Sequence, residues 1–198
     1  NTKLLQGTSV VVFEDLYYNG IHIATHSDLK DKDQTFDIPE LHTTASTAIG
    51  NTVEYSDQAV VTDRVFYSNL VPGKEYEITG TLVVKASGES VKDAEGHEVT
   101  ATVTFTPETT EGYVDVVFTF DATVYVGETL VAFETLSHKG IEYVAHADLE
   151  DEDQTVYVPE IHTTASTAIG NVVEYSEQAT VTDRVFYTGL TVGKTYEV

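Results

Sequence analysis

A repeat of about 120 residues limits the possible folds of this chain more than any other feature. The segment Ile38–Asn51 returns at Val158–Asn171, an offset of 158 − 38 = 120 residues, with only two apolar exchanges. The hexapeptide Thr62–Tyr67 returns unchanged at Thr182–Tyr187 with the same offset. A repeat of this length has the size of a domain, so we expect each copy to fold as a separate unit.

The repeat divides the 198-residue chain into three parts. We interpret residues 39–158 as one complete unit, residues 1–38 as the last third of a preceding unit, and residues 159–198 as the first third of a following one. Because both ends then fall inside units, we expect the chain to be a window cut from a tandem array.

The pattern within one unit predicts antiparallel β-structure. Every second residue is apolar from Val99 to Phe105 and again from Val114 to Phe120, which is the period of a strand with one buried face. Asn19-Gly20 is a strong hairpin signal, and we find no long amphipathic helix. The sequence therefore predicts all-β, immunoglobulin-like antiparallel sandwich domains in tandem.

The composition excludes several classes of function. Ten basic residues against 33 acidic ones give a net charge of 10 − 33 = −23, which disfavours binding to nucleic acid or to anionic membrane surfaces. No apolar run approaches the roughly 18 residues of a membrane span. The absence of cysteine excludes disulfides, thiolate catalysis and cysteine-ligated metals. We find no cofactor motif and expect no cofactor and no bound metal.

Comparison of the two copies identifies polar residues that the unit retains. Segment 26–35 returns as segment 146–155, and both of its lysines become glutamates. A charge reversal of this kind indicates solvent-exposed positions. The polar residues that stay unchanged require another explanation; in the second copy they are His146, Asp148, Asp151, Asp153, Gln154 and Thr155.

Three motifs resemble one known family. They are the Val-Ala-Phe-Glu tetrapeptide at 131–134 with Val-Val-Phe-Glu at 11–14, the His-(x)4-Asp-x-x-Gln-Thr stretch, and Thr-Thr-Ala near the start of each unit. Together they resemble the T-Q ester-bond domains of VaFE-repeat surface proteins of Gram-positive bacteria. In that family a threonine on the first strand condenses with a glutamine on the last strand, which forms an intramolecular ester and releases ammonia.

The resemblance implies a set of reacting residues in the central unit. Thr43 is the expected nucleophile, Gln154 provides the acyl group, and His146, Asp151 and Glu134 assist. The matching positions in the two partial units are Glu14, His26, Asp31, Gln34 and Thr163.

The proposed chemistry explains these residue types. A threonine hydroxyl needs a neighbouring base, for which histidine is the usual choice, and a carboxamide needs a protonated carboxyl that donates to its oxygen. Glu134 follows three apolar residues, so we expect it to carry the raised pKa. Asp151 either orients His146 or shares that proton. Strand alternation places Thr43 and Thr44 on opposite faces, and the family pattern favours Thr43.

His42 departs from the family pattern. It precedes the threonine pair, as His162 does in the next copy, where we expect the family to have a smaller residue. His42 is therefore an alternative base for Thr43.

Other interpretations stay open at this point. The acidic segments 28–33 and 148–153 offer oxygen ligands for calcium, although they lack the glycine and distal glutamate of an EF-hand. The sandwich is alternatively a ligand-binding adhesin module for a host protein or glycan, with or without calcium. A hydrolase that uses His146 and Asp151 is a third possibility.

We favour a structural function. The sequence predicts a stalk domain of a bacterial surface adhesin or fibre, cross-linked by a Thr43–Gln154 ester that resists mechanical unfolding and proteolysis. The reaction runs once per domain, so the unit is not a turnover enzyme. We expect an extracellular, cell wall-anchored location with the anchor outside this segment, adjacent repeats as partners, no membrane insertion, and a host ligand bound through another domain.

Overall fold

The structure is a computed structural model that describes residues 2–198, and among these it contains β-strands and short 3-10 helices but no α-helix. The all-β prediction is confirmed. The strands are β1 (Ser9–Val11), β2 (Glu14–Tyr18), β3 (Ile21–His26), β4 (Thr35–Asp37), β5 (Glu40–Ser46), β6 (Ala59–Ser68), β7 (Tyr76–Val84), β8 (Thr100–Phe105), β9 (Gly112–Phe120), β10 (Thr129–His138), β11 (Ile141–His146), β12 (Thr155–Tyr157), β13 (Glu160–Ser166) and β14 (Thr182–Thr188). The 3-10 helices are η1 (Thr2–Leu5), η2 (Lys32–Gln34) and η3 (Ala122–Val124). Within residues 2–198, none of these helices has the length and apolar character that crossing a bilayer requires.

Two antiparallel sheets form the central unit. The first has the order β5-β6-β9. The second has the order β11-β10-β7-β8, and the short last strand β12 pairs with the beginning of β10. The first strand β5 and the last strand β12 therefore belong to different sheets of the sandwich.

The core between the sheets follows from the alternation in the sequence. In β5 and β6 every second side chain is buried, and these side chains pack with apolar residues of β9 in the same sheet and of β7 and β10 in the opposite sheet. Gly80 of β7 allows the sheets to approach closely, since a Cβ at this position would lie 2.6 Å from Phe118 Cζ and 2.9 Å from Val116 Cγ1. The dense apolar core excludes water from the space between β5 and β10.

The two outer segments repeat the local pairings of the central unit. Glu14 lies opposite His26 as Glu134 lies opposite His146, and the β13–β14 register reproduces that of β5–β6. The turn at Asn19-Gly20 joins β2 and β3 with positive φ at both residues (46° and 80°), which the predicted hairpin turn requires.

Candidate functional site

The first strand directs one threonine of the Thr43-Thr44 pair into the core. Buried and exposed residues alternate along β5, so Thr43 is fully buried (0% exposed) while Thr44 faces solvent. Thr43 lies opposite Val65 of β6. Of the two threonines, Thr43 is therefore the one whose side chain lies between the sheets.

Gln154 reaches the same space from the other sheet. It immediately precedes β12, its backbone oxygen accepts from Ala132 N (3.1 Å), and its side chain is fully buried. The carboxamide nitrogen donates to Thr43 Oγ1 at 2.5 Å and to Glu134 Oε2 at 2.6 Å. Residues 111 apart in sequence are thereby in direct side-chain contact.

The orientation of the carboxamide differs from the sequence-based expectation. A protonated carboxyl was expected to face the oxygen of Gln154, whereas in the structure the nitrogen faces Glu134. Gln154 Oε1 is buried without a hydrogen-bond partner among the described residues. The reason is that Glu134 Oε2 acts as an acceptor, so the proton of this carboxyl belongs on its other oxygen.

Asp63 is the second carboxyl at the site, and sequence reasoning missed it. It lies on the buried face of β6, fully buried, and faces Glu134 and Thr43. Two ionised carboxylates would leave Asp63 Oδ1, Asp63 Oδ2 and Glu134 Oε1 without a donor among residues 2–198. A single proton held on Glu134 Oε1 lets that oxygen donate to one of the two Asp63 oxygens.

Burial and the proximity of the two carboxyls determine where this proton resides. Burial raises the pKa of Glu134 to about 11, with the neighbouring Asp63 carboxyl as the second cause. Burial also raises the pKa of Asp63, but contacts with Glu134 and Thr43 and the charge of His146 oppose that rise. Glu134 is therefore the protonated member of the pair at neutral pH, and Asp63 is the carboxylate.

His146 and Asp151 form a separate pair at the edge of the site. His146 Nε2 lies 2.8 Å from Asp151 Oδ2, and both side chains are about three-quarters buried. Partial burial would raise the pKa of Asp151, but hydrogen bonds from His146 and from the Asp153 amide lower it overall. Asp151 is thus a carboxylate that orients His146, and the carboxyl facing Glu134 is Asp63.

The turn before β12 explains why these polar residues recur in both copies. Asp151 Oδ1 accepts from the Asp153 amide (2.9 Å), and Thr155 Oγ1 donates to the Asp151 backbone oxygen (2.6 Å). These bonds fix a tight turn that points His146 and Gln154 towards the core. The side chains of His146, Asp151 and Thr155 therefore help to hold the turn that carries Gln154.

The preceding segment contains the same turn without the rest of the sandwich. His26 Nε2 lies 2.7 Å from Asp31 Oδ2, and the Gln34 amide nitrogen, in the orientation its hydrogen-bond partners require, lies 3.1 Å from Glu14 Oε1. Glu14 and His26 are exposed here. Thr163, the position equivalent to Thr43, is likewise exposed on β13.

His42 does not reach the site. Its side chain lies on the outer face of β5 and stacks on Phe66, with ring centroids 5.7 Å apart and planes 24° apart. His162 stacks on Phe186 in the same way, at 4.7 Å. The residue that departs from the family pattern therefore contacts a neighbouring strand on the face opposite Thr43.

The acidic segments direct their carboxylates at their own backbone. Asp148 Oδ1 accepts from the Glu150 amide, and Asp28 Oδ1 accepts from the Lys30 amide, at 2.9 Å in both cases. Within the described part of the chain, three metal-ligand side chains converge only at Asp93, Glu95 and His97, all exposed. Calcium binding at segments 28–33 and 148–153 stays a prediction.

One signal in the sequence identifies Asp63. Positions 59, 61, 65 and 67 are apolar or aromatic, so position 63 falls on the buried face of the same strand. A buried acid needs a partner, and this one lies within the hexapeptide that the repeat leaves unchanged.

Comparison with known protein families tests the resemblance seen in the sequence. A family model described as a T-Q ester bond containing domain matches residues 1–38, 39–158 and 159–198, which confirms the resemblance. Comparison with curated proteins finds no match.

Solved structures share the fold. Two crystal forms, P21 and P1, of a bacterial adhesin from Mobiluncus mulieris containing intramolecular disulfide, isopeptide and ester bond cross-links both match with a TM-score of 0.51. Their sequence identities are 14% and 13%, and the matches cover 77% and 78% of this chain and 76% and 77% of the adhesin chains. At such identities the likeness concerns the fold alone.

Proposed function

The chain belongs to the family of T-Q ester bond containing domains, and on this premise we propose that Thr43 and Gln154 condense into an ester that cross-links the central unit. The observation that carries the proposal is the buried contact between Gln154 Nε2 and Thr43 Oγ1, at 2.5 Å. This contact holds the hydroxyl beside the carboxamide before any bond forms, which removes most of the entropic barrier to their reaction.

The carboxyl pair accounts for the protons. Thr43 Oγ attacks Gln154 Cδ, and the hydroxyl proton passes to the Asp63 carboxylate. The Glu134 carboxyl then rotates so that its protonated oxygen takes the place of Oε2, 2.6 Å from the nitrogen, and the C–N bond breaks as the nitrogen receives that proton. One hydroxyl and one carboxamide become one ester and one ammonia, and the pair holds a single proton before and after.

His146 acts from the edge of the site as a positioning residue. With Asp151 accepting from Nε2, His146 contributes positive charge when it is protonated, and that charge favours the carboxylate form of Asp63. A reactive Asp63 carboxylate is the base that Thr43 needs. The sandwich around these groups excludes the water that would hydrolyse the product.

The cross-link suits a mechanical function. It joins strand β5 to the residue before β12, so tension that enters at Thr43 leaves at Gln154 without loading the strands between them. By analogy with a disulfide that closes a loop of about 100 residues, the ester stabilises the unit by roughly 4–5 kcal/mol. We assign the unit to the stalk of an extracellular, cell wall-anchored adhesin of a Gram-positive bacterium, in which neighbouring repeats are the direct partners.

Tryptic peptide mapping tests this proposal. Trypsin cleaves after Lys32, Arg64, Lys139 and Arg184, so Thr43 and Gln154 fall in the peptides 33–64 and 140–184. We expect one branched peptide whose mass is the sum of the two minus one ammonia, and we expect hydroxylamine to separate it, since hydroxylamine cleaves esters.

Matched threonine variants provide the control. Thr43→Ala should yield two linear peptides, whereas Thr44→Ala on the exposed face should still yield the branched product. Linear peptides at full mass from the parent protein would refute the proposal.

A further inference from the structure

The loop Gly189–Thr191 of the following segment docks on residues 50–52 of the central unit. Thr52 Oγ1 lies 2.9 Å from Gly189 O and 2.9 Å from Thr191 Oγ1, and it accepts from Thr191 N at 2.7 Å. Thr191 Oγ1 also donates to Asn51 Oδ1 (2.9 Å) and accepts from Asn51 N (3.2 Å). Thr52 is only 2% exposed, so its hydroxyl is satisfied inside this contact.

Further hydrogen bonds hold the loop on each side of the contact in place. Asn51 O accepts from Tyr157 N and Val53 N donates to Tyr157 O, both at 2.8 Å, so the loop of the central unit is paired with β12. On the other side, Tyr196 Oη accepts from Thr191 N at 3.0 Å. The contact therefore joins two ordered loops.

Gly50 provides the space in which Thr191 sits. Its φ is +102°, and a Cβ there would lie 2.7 Å from Thr191 Cγ2. At the equivalent position, Gly170, an added Cβ would meet nothing within 4 Å. The close fit at Gly50 therefore comes from Thr191 of the following segment.

The equivalent positions elsewhere in the chain have different residues. Thr52 corresponds to Val172, Thr191 to Val71 and Gly189 to Asn69, each 120 positions away. Val71 and Val172 are 55% and 62% exposed, on the surfaces that would meet the neighbouring units in a tandem array. We call the contact of residues 50–52 with residues 189–191 the joint. The joint contains a threonine pair, whereas the two equivalent surfaces present Val71 and Val172.

We propose that this joint is a recognition site between consecutive repeats, in which position 52 of one unit and the loop position equivalent to 191 in the next are matched. Thr52 meets Thr191, and we expect the valines at positions 71 and 172 to meet valines of the neighbouring units. A valine at position 191 alone would put a methyl group near the place of Thr191 Oγ1, which lies 2.9 Å from Thr52 Oγ1. It would also remove the partner of Asn51 Oδ1 and of the Asn51 amide, and polar groups that lose their partners in a contact are costly. The partner is therefore a neighbouring repeat of the same protein whose loop carries the matching residue.

Spin-label distances in the full chain test the joint. The chain has no cysteine, so Thr119→Cys on β9 and Arg184→Cys on β14 give one label on each side of the joint. We expect a single narrow distance distribution in the parent protein. Thr191→Val should replace it with a broad distribution and remove the exchange protection of the Asn51 amide.

Two further variants make the test specific. Val71→Thr, the reverse change at the equivalent loop of the central unit, should leave the narrow distribution intact. The triple change Thr52→Val, Gly189→Asn and Thr191→Val gives the joint the residues found at the equivalent positions 172, 69 and 71. It should restore the narrow distance distribution that Thr191→Val removes. A parent distribution as broad as that of Thr191→Val, or a triple variant no narrower than the single one, would overturn the proposal.

The joint is independent of the ester. Its residues do not contact Thr43 or Gln154, so Thr43→Ala should leave the distance distribution unchanged. Failure of the joint and failure of the cross-link are therefore distinguishable.

Discussion

Glu134 and Asp63 share one proton in a space from which water is excluded, and the proposed reaction depends on that arrangement. The raised pKa of Glu134 has burial as its main cause, and a buried acid that stays neutral can donate where an exposed one cannot. Asp63 is a carboxylate in side-chain contact with the nucleophile Thr43. Each carboxyl has its own task because the two groups cannot both ionise at close range.

The pH dependence of stability follows from this pair. The variant Thr43→Ala cannot form the ester. Burial raises the pKa of Glu134 from 4.5 to about 11, so between these two pH values folding of this variant takes up one proton at Glu134. The folded pKa is raised, so this stability is fully present below the unfolded pKa and is lost as pH rises towards the folded pKa. One proton corresponds to a loss of about 1.4 kcal/mol per pH unit.

Urea unfolding at several pH values measures this effect. The free energy of unfolding of Thr43→Ala should fall with rising pH across the neutral range, and adding Glu134→Gln should remove that part of the slope. Equal slopes in the two proteins would mean that Glu134 is ionised in the folded state.

Removal of either carboxyl should slow ester formation. Asp63→Asn removes the base and Glu134→Gln removes the proton donor, and general acid–base catalysis is typically worth about 10²–10⁴-fold in rate. The measurement is the fraction of cross-linked protein over time after refolding. Ester formation at the parental rate in Asp63→Asn would remove Asp63 from the mechanism.

Sequence predicts the residues of this site unevenly. Thr43, Gln154 and Glu134 could be predicted because the repeat retains them and the family motif includes them. Asp63 lies 20 residues from Thr43 along the chain, and its proximity to Glu134 depends on how two sheets face each other. Only its position on a buried strand face indicates its importance, and that signal also fits an acid with a structural partner.

At the scale of the strands, the site forms where two sheets meet. Thr43 and Asp63 come from β5 and β6, while Glu134 and Gln154 come from the sheet of β10. The distance between the sheets therefore sets the distance between the reacting groups. Gly80, which lies opposite Glu134 on β7, is the residue that permits their close approach.

Replacement of this glycine tests the dependence on sheet spacing. In Gly80→Ala the new Cβ would lie 2.6 Å from Phe118 Cζ, so the sheets must separate or the ring must move. We expect a loss of about 1–3 kcal/mol in unfolding free energy, the usual cost of overpacking, together with slower ester formation. Thr79→Ala on the same strand is the control, since its hydroxyl makes only a 3.4 Å contact with Thr102. Parental ester formation in Gly80→Ala would show that the spacing is not limiting.

The strands themselves are predictable and their arrangement is less so. Alternation locates β8 and β9, and Asn19-Gly20 locates the β2–β3 hairpin, because these signals are local. The pairing of β12 with the beginning of β10 joins residues well separated in sequence, and no local pattern specifies it. The same holds for the bonds between Tyr157 and the loop at residues 51–53.

At the scale of the whole molecule, the ester changes how tension travels. It bridges 154 − 43 = 111 residues of the central unit. From Gln154 to Thr163, the equivalent nucleophile of the next unit, the chain runs 163 − 154 = 9 residues, mostly along β12 and β13. This connecting path is already extended, so an array of such units should stretch very little.

Single-molecule pulling measures this property. In the parent protein, the chain between Thr43 and Gln154 should not extend before the attachment to the instrument breaks. In Thr43→Ala this segment should unfold and lengthen by up to about 370–400 Å, the extended length of 111 residues at roughly 3.3–3.6 Å each. Thr44→Ala should behave like the parent. An unfolding step of this length in the parent protein would show that the strands carry the load.

The mass of the intact, folded protein tests the central claim most directly. A chain in which Thr43 and Gln154 have condensed is lighter than its sequence by one ammonia, and Thr43→Ala should show the full mass expected for its own sequence. A parent protein at full sequence mass, with its central unit folded, would contradict the cross-link on which the proposed function rests.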